Sequence, residues 1–331
     1  MKLWGIAAVL AAGMVAGAAQ AEPVKIRVSW AVTPGELTPV LSLKPDLTTH
    51  LGKSYTLETP HFAGSPEMVT ALATGAVDII PVAFSTLVTA VQNAKIDDLR
   101  IIADEFQDGV GDYYSNPFMV RKDSGINKVE DLKGKVIATN GAGSPIDIAM
   151  RAMLRKHGLD EKKDVTIIEI NLPNMRSALV ERKADLAMLV TPFSFDPAVR
   201  EAGKTLFTTK DALGPTEFIM WGSRASFLTA NRAAVVDFLE DVLRVTRWFS
   251  DPKNHDAVVK LFADFTKRAP ETLGYVYTKS DYFRDPGLLV NLAALQSNVE
   301  TEKEIGLIKT TIDVKRYADL SLVEEAGKRL K

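Results

Sequence analysis

A four-residue phrase that occurs twice in the chain constrains its fold more than any other feature. Ala63–Pro66 and Ala142–Pro145 both read Ala-Gly-Ser-Pro, and each follows an apolar, strand-like run and precedes a helix-like run. Each is followed by an Ala-Leu pair with an aspartate seven residues after the alanine, at Ala71–Asp78 and at Ala178–Asp185. Ser before Pro favours a helix start, because Ser caps free N–H groups and Pro fits the first turn. The repeat therefore predicts two α/β units built to one plan.

The first 21 residues have the pattern of an export signal. Lys2 precedes an almost wholly apolar run to Ala18, and Ala19–Ala21 forms the A-x-A site at which signal peptides are cleaved. The alternative is a membrane anchor, but the apolar run is short for one. We expect residues 1–21 to be a signal peptide cleaved after Ala21, which would release the chain into the periplasm. Since the chain has no Cys, it cannot carry the lipid of a lipoprotein.

The composition excludes several classes of function. Of the 331 residues, 46% are hydrophobic and 25% charged, which is typical of a globular protein with a substantial core. The net charge of −2 gives no electrostatic basis for binding nucleic acid. The four His lack the spacing of a metal site, and Gly141–Ile146 does not complete a dinucleotide-binding fingerprint. We therefore predict neither a metal nor a cofactor.

The order of predicted elements changes along the chain. Strands alternate with helices up to about Gly214, which predicts parallel sheets. From Asn231 onwards the chain is predicted to be mostly helical. The clearest helical stretches there are Ala233–Phe249, His255–Phe265 and Pro286–Ser297.

Two adjacent stretches carry a resemblance to a known family. Phe118–Ile126 reads FMVRKDSGI and Val129–Val136 reads VEDLKGKV, and Gly141–Ser144 and Ala178–Asp185 continue the pattern in order. The chain resembles the periplasmic solute-binding proteins of ABC transporters of the nitrate, sulfonate, taurine and NMT1-like type. The resemblance implies an α/β periplasmic-binding-protein fold with two lobes, a hinge and a ligand cleft between the lobes. Lobe one would comprise residues 24–114 and 216–331, lobe two residues 115–215, and the hinge would lie near 112–116 and 213–217.

The same resemblance implies a function in transport. The protein would capture a small organic anion in the cleft and deliver it to an ABC permease in the inner membrane, which works with an ATPase. We expect a monomer, because docking needs both lobe tips free, and no enzymatic activity. Two alternatives remain: an exported enzyme on the same fold, or the ligand-binding subunit of a membrane sensor. A Cys-dependent desulfinase, one enzyme that resembles this fold, is excluded by the absence of Cys.

The turn at Gly143 and Ser144 is a candidate ligand site. Ligands of open α/β sheets bind beyond the carboxyl ends of strands, and free N–H groups at a helix start can hold an oxyanion. The alternative is that Ser144 only caps its own helix, in which case Asp147 already offers a negative charge to the helix end.

Polar and aromatic residues at other strand ends are further candidates. In each unit a hydroxyl-bearing stretch follows a buried strand, so these residues either contact ligand or cap the next helix. These candidates are Phe84, Ser85, Thr86, Thr191 and Phe193.

Trp30 and Trp221 complete the set of candidates. Each lies at or near a strand end, where an aromatic side chain is either a ligand platform or part of the core. Together with the phenylalanines they suggest a flat, partly apolar ligand, such as an aromatic carboxylate or sulfonate. Glu217, near the predicted hinge, could instead accept hydrogen bonds from an amine.

Overall fold

A computed structural model of the protein describes residues 22–330, so the predicted signal peptide lies outside the described residues. The described chain is a mixed α/β structure. Its strands are β1 Val24–Arg27, β2 Tyr55–Glu58, β3 Ile79–Ala83, β4 Leu99–Asp108, β5 Pro117–Arg121, β6 Val136–Thr139, β7 Thr166–Glu169, β8 Leu186–Met188, β9 Gly203–Thr208 and β10 Thr216–Arg224. Its α-helices are α1 Ser65–Ala73, α2 Phe84–Gln92, α3 Pro145–Lys156, α4 Leu172–Val180, α5 Pro197–Ala202, α6 Thr209–Leu213, α7 Ala225–Ala230, α8 Arg232–Ser250, α9 His255–Thr266, α10 Leu292–Glu304 and α11 Ser321–Arg329.

The strands form three sheets that divide along the chain. One sheet is the parallel pair β1 and β2, and a second has the order β3-β10-β4. The third has the order β7-β6-β8-β5-β9 and is built only from residues 117–208. The lobe boundaries remain a sequence prediction, and we use the names lobe one and lobe two for those ranges.

The prediction of parallel sheets is right for part of the structure only. β6 runs parallel to β7 and β8, but β5 is antiparallel to β8 and β9, and β10 is antiparallel to β3 and β4. Both β5 and β10 follow a segment in which the chain leaves one sheet and enters the other. Each of these two strands therefore runs in the direction opposite to its neighbours in the sheet. The alternation of strands and helices in the sequence does not reveal this direction.

The repeated sequence phrase forms the same structure twice. Each Ser-Pro pair lies at a helix start, that of α1 and that of α3. Asp78 and Asp185 each precede a strand, and each carboxylate accepts the backbone N–H of the neighbouring parallel strand, from Arg27 at 2.8 Å and Val136 at 3.0 Å. The prediction of a helix start at each phrase is confirmed, but the two units differ in their order of elements: Ala71 lies in α1 itself, whereas Ala178 lies in α4, which follows α3 and β7. In both units the aspartate helps to fix the register of its strand.

Asp108 organises the segment that leads from lobe one to lobe two. It is fully buried at the end of β4 and accepts hydrogen bonds from the Ser115 hydroxyl at 2.5 Å and the Asn116 backbone N–H at 2.9 Å. Burial raises the pKa of Asp108 to about 7. The returning segment is tied to the same place, because the Lys210 N–H donates to the Ser115 hydroxyl at 2.9 Å. The two crossing segments are thus joined through the Ser115 hydroxyl, which Asp108 holds in place.

The helical region after residue 231 agrees with the sequence prediction for two helices and differs for the third. α8 and α9 match the predicted ranges to within a residue at each end. α10 begins at Leu292 rather than at Pro286, because Asn291 caps it by accepting the Ala294 N–H at 3.0 Å. No helix within residues 22–330 is both long and apolar enough to cross a membrane.

Glu302 gives a test of the packing of α10. This side chain is buried, and burial raises its pKa to about 9. Ionisation is therefore harder in the folded than in the unfolded state, so stability falls as pH rises from about 4.5 to about 9. We expect Glu302→Gln to remove this pH dependence. Between pH 5 and pH 8 the free energy of unfolding of the variant should therefore rise, relative to that of wild type, by at most about 4 kcal/mol.

Urea unfolding at pH 5 and pH 8 measures this effect. Glu304→Gln is the matched control, because Glu304 is exposed on the same helix. An equal pH dependence in wild type and in the Glu302 variant would contradict the burial of an uncompensated carboxyl group at this position.

Candidate functional site

A cavity of about 100 Å³ lies between residues of lobe one and lobe two, large enough for several water molecules or a small organic ligand. Its lobe-one wall comes from the loop 31–36 after β1, the turn 63–65 before α1, and side chains of β4 and β10. Its lobe-two wall comes from the ends of β6 and β8 and the first residues of α3 and α4. The cavity thus lies beyond strand ends and between lobes, as the resemblance implied.

Three aromatic rings form an apolar wall in lobe one. The ring of Phe106 stacks on that of Tyr282 with centroids 4.5 Å apart, and the ring of Phe218 lies 5.9 Å from both. The Tyr282 hydroxyl donates to the Asn116 side-chain oxygen at 2.6 Å, which anchors this ring to the crossing segment. The three packed rings therefore form a rigid apolar wall against which the apolar part of a ligand can pack.

Glu36 is the acidic group of the cavity. Its side chain is only 6% exposed, yet it lines the cavity. The carboxylate accepts the backbone N–H of Ala31 at 2.5 Å, and burial raises the pKa of Glu36 to about 7 against the lowering effect of this bond. The loop is held from behind by Arg284, whose guanidinium donates to the Gly35 carbonyl at 3.0 Å. The result is a carboxyl group in a fixed position at the cavity wall.

At each of the two helix starts, an acidic side chain of the helix itself accepts the N–H of the residue that precedes the N-cap. In α3 the Gly143 N–H donates to the Asp147 carboxylate at 2.9 Å, and the Ser144 hydroxyl accepts the Asp147 N–H at 3.2 Å. In α1 the Ala63 N–H donates to Glu67 at 3.1 Å. Gly143 and Ser144 do not line the cavity. These bonds are the ones expected from the capping alternative.

The predicted residues Thr191 and Phe193 lie in the segment that follows β8. Thr191 lines the cavity, and its buried hydroxyl makes no well-formed hydrogen bond within residues 22–330. Phe193 lies nearby in lobe two, with the Arg268 guanidinium of lobe one 5.5 Å from its ring centre. Phe195 stacks on Tyr275 of lobe one at 4.0 Å, so the lobes are in contact beside the cavity.

Phe84, Ser85 and Thr86 belong to α2 rather than to a loop. Helix α2 begins directly at Phe84, and all three side chains are buried. The Thr86 hydroxyl donates to the Ala83 carbonyl at 2.9 Å, and Ala83 is the residue of this stretch that lines the cavity. The three residues therefore pack behind the cavity wall.

The two tryptophans lie outside the cavity lining. Trp221 is 1% exposed and stacks on Phe238 in the core, at 5.3 Å. Trp30 donates its indole N–H to the Thr59 carbonyl at 3.0 Å and packs on His61. Its neighbour Ala31 does line the cavity, so Trp30 supports the loop that carries Glu36.

Glu217 is buried away from the cavity lining. Its carboxylate accepts the Asn291 N–H at 2.7 Å. Burial, and then the charge of Asp104, raise the pKa of Glu217 well above its usual range. It ties β10 to the start of α10 and is not placed to meet a ligand in the cavity.

The fold brings together one group of possible metal ligands that sequence spacing did not reveal. Ligand atoms of His50, Asp237 and Glu240 lie within 4.8 Å of one another. Arginines already neutralise the two carboxylates, because Arg329 contacts Asp237 at 2.7 Å and Arg244 contacts Glu240. None of these residues lines the cavity.

Sequence reasoning missed Glu36, Phe106 and Tyr282. Glu36 carried a usable signal, since it lies in the turn that directly follows the first predicted strand, where ligands of α/β sheets bind. Phe106 lies within a strand, and Tyr282 is in a stretch without secondary-structure pattern. No local signal marks those two rings, because only long-range packing brings them together.

A model of the NMT1-like family matches residues 19–263 of the chain. The chain belongs to the NMT1-like family. No curated protein sequence matches it. Among solved structures, this NMT1-like protein is similar to the alkanesulfonate-binding protein SsuA from Xanthomonas axonopodis pv. citri bound to MOPS. The TM-score is 0.72 and the identity 18%, over 90% of this chain and 99% of that chain.

Two other solved structures show how widely this fold is used. The periplasmic nitrate-binding protein NrtA from Synechocystis PCC 6803 has a TM-score of 0.74 and 13% identity, over 94% of this chain and 90% of that chain. The desulfurization enzyme DSZB has a TM-score of 0.67 and 13% identity, over 93% of this chain and 100% of that chain. At such identities the likeness establishes the fold, which is that of periplasmic binding proteins.

Proposed function

We propose that this NMT1-like protein is the substrate-binding component of an ABC importer. The observation that carries the proposal is the cavity between the lobes, which residues of both lobes line. A ligand that touches both lobes stabilises the closed form over the open one, which is the requirement for a capture protein. The closed protein, exported to the periplasm as a monomer, then docks on an inner-membrane permease coupled to an ATPase.

The shape and composition of the cavity support a small, flat and partly apolar ligand. Stacked rings provide one wall, and Leu172, Val190 and Ile219 provide further apolar surface. Polar contacts come from Ser65, Asn140 and Thr191 on its rim and walls. The organic anion predicted from the sequence finds less support, because the acidic Glu36 lines the cavity and an acidic side chain of each helix accepts an N–H group just before the helix start.

An enzyme is the rival interpretation with a structural observation behind it. DSZB shares the fold, and Glu36 has a pKa of about 7, raised by burial, which suits a general base. A binding protein returns its ligand unchanged, whereas an enzyme converts it, so recovery of intact ligand separates the two. A membrane sensor would bind in the same way and differ only in its partner.

Thermal unfolding of residues 22–331 against a panel of small molecules tests the proposal. The panel holds nitrate, taurine, alkanesulfonates, aromatic carboxylates, pyrimidines and aromatic amines. A ligand at a hundred times its Kd should stabilise the protein by roughly 2.7 kcal/mol. Each binding compound is then recovered and analysed for conversion.

A variant that fills the cavity tests whether the ligand binds there. Ile146→Trp, at the lobe-two wall, should abolish the ligand-induced shift, and Leu307→Trp at an exposed position should leave it unchanged. An unchanged shift in the Ile146 variant would contradict binding in this cavity, and turnover of the ligand would contradict the binding-protein function.

A further inference from the structure

The cavity lining is acidic and contains no cationic side chain. Among its lining residues, all of which lie in the described chain, Glu36 is the only carboxylate, and no Lys, Arg or His is present. The buried cation Arg284 donates to the carbonyls of Gly35 and Tyr282 and to the Asp281 carboxylate rather than to Glu36. A buried carboxylate without a cation is unfavourable unless a partner pairs with it. The ligand is the group that can supply this partner.

The helix starts do not reverse this charge. An unoccupied helix start attracts anions because its free N–H groups and dipole are positive. Here Glu67 accepts the Ala63 N–H in front of α1, and Asp147 accepts the Gly143 N–H in front of α3. These acids reduce the positive charge that each helix start offers, although neither lines the cavity and Asp147 is itself paired with Arg151 at 2.9 Å.

The aromatic wall also suits a cation. The faces of aromatic rings carry partial negative charge and attract cations within about 6 Å, while they stack with flat apolar groups. Phe106, Phe218 and Tyr282 line the same cavity as Glu36, and the Arg284 guanidinium already lies 5.7 Å from the centre of the Phe106 ring. One molecule with an ammonium group and an aromatic body can thus meet both the carboxylate and the rings.

We infer that the cavity takes an organic cation, an aromatic or aryl-alkyl amine whose ammonium group donates to Glu36 while its ring lies against Phe106, Phe218 and Tyr282. This inference rests on the proposed function and narrows its ligand class. It departs from the organic anion that the family resemblance implied. The carboxylate of Glu36 is set for this role by its loop, since Ala31 holds one oxygen of the group in place.

Two sets of probes, each sharing one aromatic ring and differing in the charge of the polar group, test the inference. One set is benzylamine, benzyl alcohol and benzoate, and the other is tryptamine, tryptophol and indole-3-acetate. Calorimetric titration at pH 7.5 should give at least tenfold tighter binding for the amine than for the alcohol of at least one set, with the carboxylate weakest. Glu36→Gln should weaken amine binding at least tenfold and change alcohol binding less than threefold.

Glu36→Gln keeps an oxygen that can accept the Ala31 N–H, so its fold should persist, and thermal unfolding checks this. Glu304→Gln, an exposed change of the same kind, should leave all affinities unchanged. The inference is wrong if an alcohol or carboxylate binds as tightly as its amine. It is also wrong if the amine preference survives Glu36→Gln, or if other compounds of the earlier panel bind while the amines do not. Binding of no compound at all would contradict the proposed function instead.

Discussion

Replacing Arg284 with methionine should lower the free energy of unfolding by roughly 3–5 kcal/mol, the largest effect we expect of a single charged residue. Arg284 is 7% exposed and donates to the buried carboxylate of Asp281 at 3.0 Å. Its guanidinium also lies 4.2 Å from the centre of the Tyr277 ring. Methionine keeps most of the side-chain length but leaves Asp281 buried without a cation, and an uncompensated buried charge is strongly unfavourable.

Urea unfolding at pH 7 measures this change. Arg232→Met is the matched control, because Arg232 pairs with Glu325 at the surface, where such pairs contribute about 0–1 kcal/mol. The double variant Asp281→Asn with Arg284→Met should recover part of the loss, since it removes the orphaned charge. A loss below about 1 kcal/mol in the single variant would show that the buried pair is not formed as described.

The second large effect concerns Trp221. Trp221→Ala should lower the free energy of unfolding by about 3–5 kcal/mol, because it opens a cavity beside Phe238 in the core of lobe one. Trp221→Phe keeps a ring at that position and should lower the free energy of unfolding by less than Trp221→Ala does. Because Trp221 does not line the ligand cavity, we expect the folded Phe variant to bind ligand with a Kd within twofold of wild type.

Chemical unfolding and ligand titration together decide the role of Trp221. Trp248→Ala provides a control at a partly exposed tryptophan, where the loss of stability should be smaller. A Trp221→Phe protein of near-normal stability that no longer binds ligand would restore the sequence prediction of a ligand contact and contradict the core assignment.

Trp221 illustrates why site residues were harder to predict than the fold. It lies three residues from Phe218 on the same strand, yet Phe218 lines the cavity and Trp221 packs in the core. Both are aromatic residues near a strand end, and β10 has register irregularities against β4 between these positions. A spacing of three places the two side chains on opposite faces of a strand, but which face meets the ligand depends on what packs against each face, and the sequence of one strand does not reveal that.

Long-range pairing explains the rest of what was missed. Glu36 and Tyr282 meet at one cavity although 246 residues separate them in the chain. The charge of the cavity lining comes from Glu36, while Glu67 and Asp147 accept backbone N–H groups beside their own helices. The resemblance implied an anionic ligand, and these contacts within the fold lead to the opposite charge.

The sequence by itself determined the repeated units, since a Ser-Pro helix start and an aspartate before a strand act on neighbouring backbone groups. It also determined family membership, which the NMT1-like match to residues 19–263 bears out. The tertiary structure alone decided the direction of β5 and β10, the burial of Trp221 and the position of Glu36 at the cavity. The physical reason is the distance along the chain over which each interaction acts. Capping and turn signals act between sequence neighbours, whereas the direction of a strand, the face on which a side chain lies and the charge of the cavity arise from contacts between distant segments.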